Sequence, residues 1–537
     1  MFKILDCTLR DGGYYNQWDF SPEIVQAYIN AMAKAQIDYV ELGLRNFAQN
    51  GFHGAFAYTT EDFINRLDLP QGPTYGVMVD AKTILSSTLP IEVVIDSLFV
   101  DCKESKIDLV RIAAHFHEVE HSGRIVKALK EKGYLVGYNL MQAGGKSSVL
   151  IAEKAKLAQT WHGLDVLYFA DSLGNMDGDE VKRIVSALRE HWSGDLGIHT
   201  HNNMAKALDN CLVARSVGVK WLDSTITGMG RGAGNAQTEN LLAVVSQENQ
   251  KYVATPVYEL AIRHFEAMQK ECGWGSNLLY FLGAQNNLHP TYIQNLLSDS
   301  HFGTDEVIGA INYLSQQEKK SSYSGDVYQA ALSFSGENKP VSGSSMLCNL
   351  ASEKEVLIIA NGPGLHQYFE DVIAYIKNKK PIVIAINVIA ELGSYVDYYC
   401  LSHNNKFLSE SDVYNTLAKP VILPKHRFND SELALFSEDC QLIDYGLEVQ
   451  TGQFSVNNQS CIVPFDITVA YAFSVAEIMK ANNVTLIGFN GYDSNDTRQL
   501  EMLETINLMQ HFNITHNLLA LTPTTYPLTQ GSIYAPI

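Results

Sequence analysis

Asp11 follows Arg10 in ILDCTLRDGG, and much later the run GIHTHNN places His199 and His201 two residues apart. On a strand successive side chains alternate faces, so His199 and His201 project together while Thr200 points away. One carboxylate and two imidazoles at the ends of apolar strands are the donors of a divalent-metal site with open coordination positions. A strand histidine pair is also compatible with hydrogen-bonded packing. The order along the chain favours the metal, because Asp11 is expected to end the first strand and the histidine pair a late one. In a parallel (β/α) barrel those ends meet at the C-terminal face.

The elements that must hold these residues are visible as alternation. Up to about residue 245 short apolar runs alternate with amphipathic stretches, as in successive βα units. The expected strands are KILDCT, DYVELGL, TYGVMVD, DLVRIAA, YLVGYNLM, DVLYFAD, LGIHTH and KWLDSTI. Between them, SPEIVQAYINAMAKAQ and GDEVKRIVSALREHW carry helical spacing, with Ser21 and Asp177 as N-caps. Eight strands with intervening helices predict an α/β protein with a (β/α)8 TIM barrel over residues 1–250. Residues 251–335 read as a helical appendix, and residues 336–354, including SFSGENKPVSGSS in part, as a linker. EVLIIANGPGL, PIVIAINV, VDYYCLS, PVILPK and NVTLIGFNGYD then predict a separate open α/β, Rossmann-like domain over residues 355–537.

Composition narrows the functions. The chain has 537 residues, 46% of them hydrophobic, and 39 basic against 59 acidic side chains, a formal charge of -20. With no basic run interleaved with aromatics, nucleic-acid binding and attachment to an anionic membrane are not expected. The cysteines Cys7, Cys102, Cys211, Cys272, Cys348, Cys400, Cys440 and Cys461 show no CxxC spacing, so neither a zinc ribbon nor a disulfide framework is predicted. They read as buried thiols of a reducing compartment. A strand begins at Phe2 without a leader, and no long apolar run follows, so a cytoplasmic protein without transmembrane spans is expected.

Taken together, TLRDGG, the VELG run, VRIAAHFHE, ADSLGNM, HTHNN and GMGRGAGN resemble the metal-dependent (DRE-TIM) lyase and synthase superfamily. That group includes 4-hydroxy-2-oxovalerate aldolase, hydroxymethylglutaryl-CoA lyase and the isopropylmalate and homocitrate synthases. The resemblance spans roughly residues 1–245, and VRIAAHFHE and GMGRGAGNAQTE resemble the hydroxy-oxovalerate aldolases most. It implies Asp11, His199 and His201 as metal ligands, with Asn235 as a further ligand of some branches; a polar cap in a glycine-rich turn is the other reading of Asn235. Oxygen and imidazole donors favour Mn²⁺ or Mg²⁺, with Zn²⁺ or Co²⁺ as possible substitutes.

A 2-oxo acid chelating such a cation makes a pyruvate enolate accessible near neutral pH. Arg10 resembles the family arginine beside the developing oxyanion. Gly12 and Gly13 would let the backbone turn tightly beside substrate. Where those aldolases carry a basic histidine, this chain has Tyr14, followed by Tyr15. A phenol, with an ordinary pKa near 10, is more readily a proton donor than a base. His115, or less readily His117, is the candidate to supply the missing base. Glu41 and Arg45 on the second strand, Asp171 and Ser172 on the sixth, and Thr225 on the eighth fall where side chains can reach the pocket, or are buried polar residues satisfied by neighbours. The family's helical-segment tyrosine has no clear match: the aligned positions are Trp274 and Leu278, with Tyr280 and Tyr292 nearby. With that segment altered and a further domain attached, docking of an acylating aldehyde dehydrogenase is not carried over.

In the second domain NGPGL is a turn able to bring phosphate to backbone amides, with Asn361, Gly362 and Gly364 as nucleotide- or nucleotide-sugar-binding candidates. The domain faintly resembles those related to bacterial sialyltransferases and pterin pyrophosphokinase-like proteins. A packing or assembly role is the alternative.

The expectation for the whole is a divalent-metal-dependent aldolase that cleaves or forms a 4-hydroxy-2-oxo acid through a metal-bound pyruvate enolate. A small-molecule 2-oxo acid would be its partner and a homo-oligomer, by default a dimer, its assembly. An acetyl-CoA-dependent Claisen-type acyltransferase and an inactive binding or scaffold protein are the alternatives. A non-heme iron oxygenase shares the donor set, but the βα alternation argues against it.

Overall fold

The computed structural model describes residues 2–298, 304–317, 320–325, 327–328, 331, 341–403, 411–428, 430–494, 496–512 and 518–534. It divides into two units, Met1–Gln294 with Glu318–Tyr323, and Asn295–Gln317 with Ser324–Ile537.

In the first unit β1 (Lys3–Asp6), β2 (Tyr39–Leu44), β3 (Thr74–Asp80), β4 (Leu109–Ala114), β5 (Leu135–Leu140), β6 (Val166–Asp171), β7 (Asp195–Thr200) and β8 (Trp221–Ser224) form a closed barrel in chain order. β8 pairs in parallel with β1 through Leu222 opposite Ile4 and Asp223 opposite Leu5. Each strand lies within one residue of one of the eight runs read from the sequence, β7 beginning at Asp195, one residue before LGIHTH. Period-two alternation sorts the side chains: Val110, Ile112, Leu196, Ile198 and Leu222 pack in the main hydrophobic cluster with residues of the helical layer. Leu5, Cys7, Leu109, Val166, Tyr168 and Trp221 make a separate cluster, the apolar plug of the interior. The helices Pro22–Lys34 and Gly178–Arg189 begin at the expected caps, Ser21 accepting from the Ile24 amide and Asp177 from the Glu180 amide.

One expectation changes. Asp11 does not end β1, which stops at Asp6; it lies in a four-residue helical turn, Thr8–Asp11. The cause is Asp6, whose buried Oδ1 accepts from the Thr8 amide at 2.9 Å, the Thr8 hydroxyl at 2.6 Å and the Tyr28 hydroxyl at 2.6 Å. That bends the chain into a turn at once. Thr8 Oγ1 in turn accepts from the Ile226 amide at 2.8 Å, tying the segment after β1 to the segment after β8.

After the barrel the described chain is helical, with Thr255–Leu260, Glu266–Cys272, Leu278–Gln285 and Pro290–Ser298. Of the expected linker, residues 336–340 lie outside the described residues.

In the second unit β9 (Glu355–Ile359), β10 (Ile382–Ile386), β11 (Tyr398–Cys400), β12 (Val421–Leu423), β13 (Leu442–Asp444), β17 (Asn483–Ile487), β18 (Leu518–Ala520) and β19 (Thr529–Gln530) form a parallel sheet in the order 13-12-11-10-9-17-18-19. β14 (Gly446–Val449), β15 (Ser455–Val456) and β16 (Ser460–Val463) form a small second sheet. Five of these strands lie in the runs expected to be strands. β13 to β16, β18 and β19 were not expected, being two to four residues long and without usable periodicity. Among the described residues the cysteines are free thiols, and no helix is long and apolar enough to cross a membrane.

Candidate metal centre

Asp11, His199 and His201 come together at the mouth of the barrel: one donor atom from each lies within 4.8 Å of the others, and all three residues are buried. β7 supplies His199, and His201 is the residue just past its end, both on the inner face, while Thr200 points away to the Ala207 carbonyl, as alternation requires. The loop after β8 folds back onto the end of β7. The Asn202 amide donates to the Gly234 carbonyl at 2.7 Å, and Asn235 bridges to His201. Asn235 therefore stands beside the trio, its side-chain amide donating to Asp11 Oδ2.

The polar groups are arranged for an ion. His199 Nδ1 lies 3.0 Å from Asp223 Oδ2, which orients the ring and leaves Nε2 facing Asp11 Oδ2 at 3.4 Å. Asn235 Oδ1 and His201 Nδ1 are buried without a hydrogen-bond partner. Burial opposes charge on Asp11, but Arg10 and the two imidazoles outweigh it and hold the carboxyl well below the usual range. Burial pushes the His201 imidazole down to about 3, so it is a neutral ring with one nitrogen lone pair to offer. Oxygen from Asp11 and Asn235 with imidazole nitrogen from two histidines suits a divalent cation, and the unpartnered atoms fit one. A second group, Cys7, His199 and Asp223, is also close. Burial pushes the Cys7 thiol up to about 11, and Asp223 is engaged by Arg111, so this group reads as support beneath the first.

Arg10 runs alongside. Its Nη1 donates to Asp11 Oδ1 at 2.6 Å and its Nε to Glu41 Oε2 at 2.8 Å, while Nη2 is buried with no partner. The Trp18 indole N–H donates to the Arg10 carbonyl at 2.7 Å. Gly13 permits this: a Cβ there would sit 2.0 Å from the indole ring. Its role is close packing that fixes Arg10, which differs from the expected backbone approach to substrate; at Gly12 a Cβ would instead meet Met229 and the Thr8 carbonyl at 2.6 Å. Gly13→Ala should therefore overpack the site and destabilise the barrel by about 1–3 kcal/mol, read as a lower urea midpoint by tryptophan fluorescence.

Several expected site residues are placed elsewhere. Glu41 lies below the pocket, with both oxygens taken by Arg111 and Arg10. Arg45 leaves the interior: it donates to the Leu98 carbonyl and Glu61 and lies over Phe99. Asp171 accepts from the amides of Asn175 and Met176, and Ser172 from that of Gln142, so both hold loops. Thr225 keeps the inward parity of Asp223, and its buried hydroxyl has no partner, so it remains open to a ligand.

Tyr15 donates to the Gly232 carbonyl at 2.7 Å, and burial, with Tyr280 beside it at 3.4 Å, raises its pKa far above 10. Tyr14 packs edge-on against Trp18 and carries the Arg231 guanidinium over its ring at 4.0 Å. Trp274 is buried and donates to the Thr227 carbonyl, Leu278 is exposed, and Tyr292 donates to the Ser322 carbonyl. His115 follows β4 at the barrel mouth, its ring stacked on His117 at 5.7 Å, and burial lowers its pKa below the ordinary histidine value. Asp80, Arg111, Asp223 and Arg231 were not singled out from the sequence; each is a charged residue inside or beside a strand pattern whose partners are remote in the chain.

In the second unit the NGPGL turn has a packing explanation. The Gly364 amide donates to Asn490 Oδ1 at 2.8 Å, and a Cβ at Gly362 would meet the Gly488 carbonyl at 2.1 Å. The helix that follows, Pro363–Gln367, is a single short turn, and Asn361 is exposed beside it. The amide expected to cradle phosphate is thus already taken.

A family model described as HMGL-like matches residues 1–267. The 4-hydroxy-2-oxovalerate aldolase of Pelotomaculum thermopropionicum is 30% identical over 259 residues, covering 48% of this chain and 74% of that protein. The chain belongs to the HMGL-like family. The 4-hydroxy-2-oxovalerate aldolase of Bacillus thuringiensis is 27% identical over 293 residues, 53% of this chain and 83% of that enzyme. Among solved structures, the N-terminal domain of a Bacteroides vulgatus protein provisionally described as an aldolase is 31% identical, with a TM-score of 0.50, covering 56% of this chain and 97% of that one. HMGL-like membership and these relatives support a lyase, and the family match falls within the first unit.

Proposed function

We propose that the HMGL-like barrel is a divalent-metal-dependent aldolase that cleaves or forms a 4-hydroxy-2-oxo acid, with pyruvate as one half. The observation that carries this reading is the conjunction of Asp11, His199 and His201 with the unpartnered Nη2 of Arg10 beside them. Asp11, His199, His201 and the Oδ1 of Asn235 would hold the cation. When bound, it supplies Lewis acidity, drawing electron density from the ketone of a 2-oxo acid.

The chain's own residues supply the rest. Arg10, held by Asp11 and Glu41, presents a fixed cationic donor where negative charge develops on oxygen. In cleavage, a base takes the proton of the C4 hydroxyl, the C3–C4 bond breaks as the aldehyde carbonyl forms, and its electron pair becomes a C2–C3 double bond as negative charge moves to the C2 oxygen. A proton delivered to C3 then completes the methyl group of pyruvate. His115 is assigned as the base, because its lowered pKa leaves it neutral near pH 7, whereas Tyr15 is committed as a donor. His115→Gln should lower cleavage about 100-fold or more, measured as steady-state pyruvate release.

The deciding experiment follows pyruvate methyl protons in deuterium oxide by NMR with Mn²⁺ supplied, alongside pyruvate release from a 4-hydroxy-2-oxo acid. Exchange and release are expected. Neither signal, with free CoA released instead from acetyl-CoA and a 2-oxo acid, would replace the aldolase by an acyltransferase.

A further inference from the structure

Arg231 lies in the glycine-rich loop after β8, in GMGRGAGN. Its neighbour Gly230 is pressed against the metal centre: a Cβ there would lie 2.4 Å from Asn235 Nδ2 and 3.0 Å from Asp11 Oδ2. The Cα of Arg231 is therefore one residue, about 3.8 Å, from a backbone position touching the trio. Its guanidinium makes no hydrogen bond or ion pair with Asp11, though its charge bears on His201. It lies 4.0 Å over the ring of Tyr14, with Nη1 3.4 Å from Nε2 of His289.

Both contacts are uncharged. Burial, reinforced by Arg231 itself, pushes His289 down to about 3, leaving a neutral ring. Among the described residues Arg231 has no carboxylate within the 4.0 Å of an ion pair. Asp80, at the end of β3, is raised above the usual carboxylate range by burial although Arg231 pulls it down, and it acts on Arg231 only through space. A partly buried guanidinium, oriented by an aromatic face and without a carboxylate in direct contact among the described residues, is built to receive an anion. The anion it receives is not the pyruvate carboxylate, because that end belongs to the trio and Arg10, whereas this guanidinium is held over Tyr14 and beside His289. Tyr14 is also the position at which the chain departs from the aldolase histidine, so the departure that removes a base supplies the platform for the arginine.

We infer that Arg231 recognises an anionic group, carboxylate or phosphate, carried at the far end of the aldehyde half, so that the barrel acts on 4-hydroxy-2-oxo acids charged at both ends. This rests on the aldolase reading above. Bidentate charge-assisted binding makes an anionic aldehyde preferred over its neutral counterpart about 10- to 100-fold in kcat/KM.

The test condenses pyruvate with matched aldehydes: butanal against succinic semialdehyde, and glycolaldehyde against glycolaldehyde phosphate. Wild type, Arg231→Ala and Arg231→Gln are compared with Mn²⁺ present. The expected result is an anion preference in at least one pair in the wild type, collapsing towards unity in both variants; the pair that shows it identifies carboxylate or phosphate. Pyruvate methyl exchange, which needs no aldehyde, separates the two levels. Exchange in the wild type without an anion preference, or with one that survives in both variants, overturns the role of Arg231. Loss of exchange and condensation in the wild type overturns the aldolase reading and this inference with it.

Discussion

His201→Leu is expected to abolish turnover while leaving the metal-free barrel as stable as the wild type, or more so. The two effects have one cause. His201 is buried, neutral, and has a ring nitrogen that meets no partner in the protein. Without an ion that nitrogen is a desolvated polar atom with nothing to compensate it, and leucine, of similar bulk, removes the deficit. With an ion, the same nitrogen-bearing ring is one of two imidazole donors. Removal of a hydrogen-bond partner behind a ligand already costs about 10- to 100-fold in metal affinity, so loss of the ligand should cost more than that. Mn²⁺ at 100 times its dissociation constant should stabilise the wild type by about 2.7 kcal/mol and the variant not at all. Calorimetric titration with Mn²⁺, urea unfolding with and without EDTA, and pyruvate exchange check the three parts. Undiminished Mn²⁺ affinity in the variant would remove His201 from the centre. Asp11→Asn should lose turnover equally, but it is a less clean probe because Asp11 also holds Arg10.

How much of this could be read in advance depended on where the information lies. The barrel strands were legible because each is a mainly apolar run buried on both faces, and the HxH spacing declared the face shared by His199 and His201 at the end of β7. Asp11 was legible as a donor but not in position, since its helical turn depends on hydrogen bonds that Asp6 accepts from Thr8, Tyr28 and Thr238. Glu41 and Arg45 illustrate the harder case. Glu41 lies within β2 and Arg45 just past its end, and the sequence offers no sign that Glu41 meets Arg111, 70 residues away, while Arg45 reaches Glu61 and Phe99. Arg231 belongs to a motif that was noticed, yet its meaning lies in Tyr14 and His289, remote in the chain and adjacent in space. In the second unit, Gly362 and Gly364 looked like a phosphate turn, because packing against Gly488 and Asn490 leaves the same local pattern.

Arg111→Met should produce the largest loss of stability in the barrel. Arg111 is wholly buried beneath the metal centre, with Nε and Nη2 donating to Glu41 and Nη1 to Asp223 at 2.6 Å, and its guanidinium 4.8 Å over the Tyr168 ring. Burial opposes charge on both carboxyls, and Arg111 is the foremost group that lowers their pKa values against it. Removing one member of such a buried set leaves the others uncompensated, at a cost of about 3–5 kcal/mol. Arg111→Lys should rescue little, since one ammonium cannot span two carboxylates as the planar fork does. The triple variant Glu41→Gln, Arg111→Met, Asp223→Asn should regain much of the stability, because no bare charge remains in the interior. It should not regain activity: Arg10 loses the carboxylate that aims it, and His199 the one that orients its ring. All five tryptophans, Trp18, Trp161, Trp192, Trp221 and Trp274, lie in the first unit, so tryptophan fluorescence follows barrel unfolding in the intact chain. If Arg111→Met unfolds at the wild-type urea concentration, the ion set is not what holds the interior. If the triple variant turns over like the wild type, Asp223 and Glu41 do not position the groups above them.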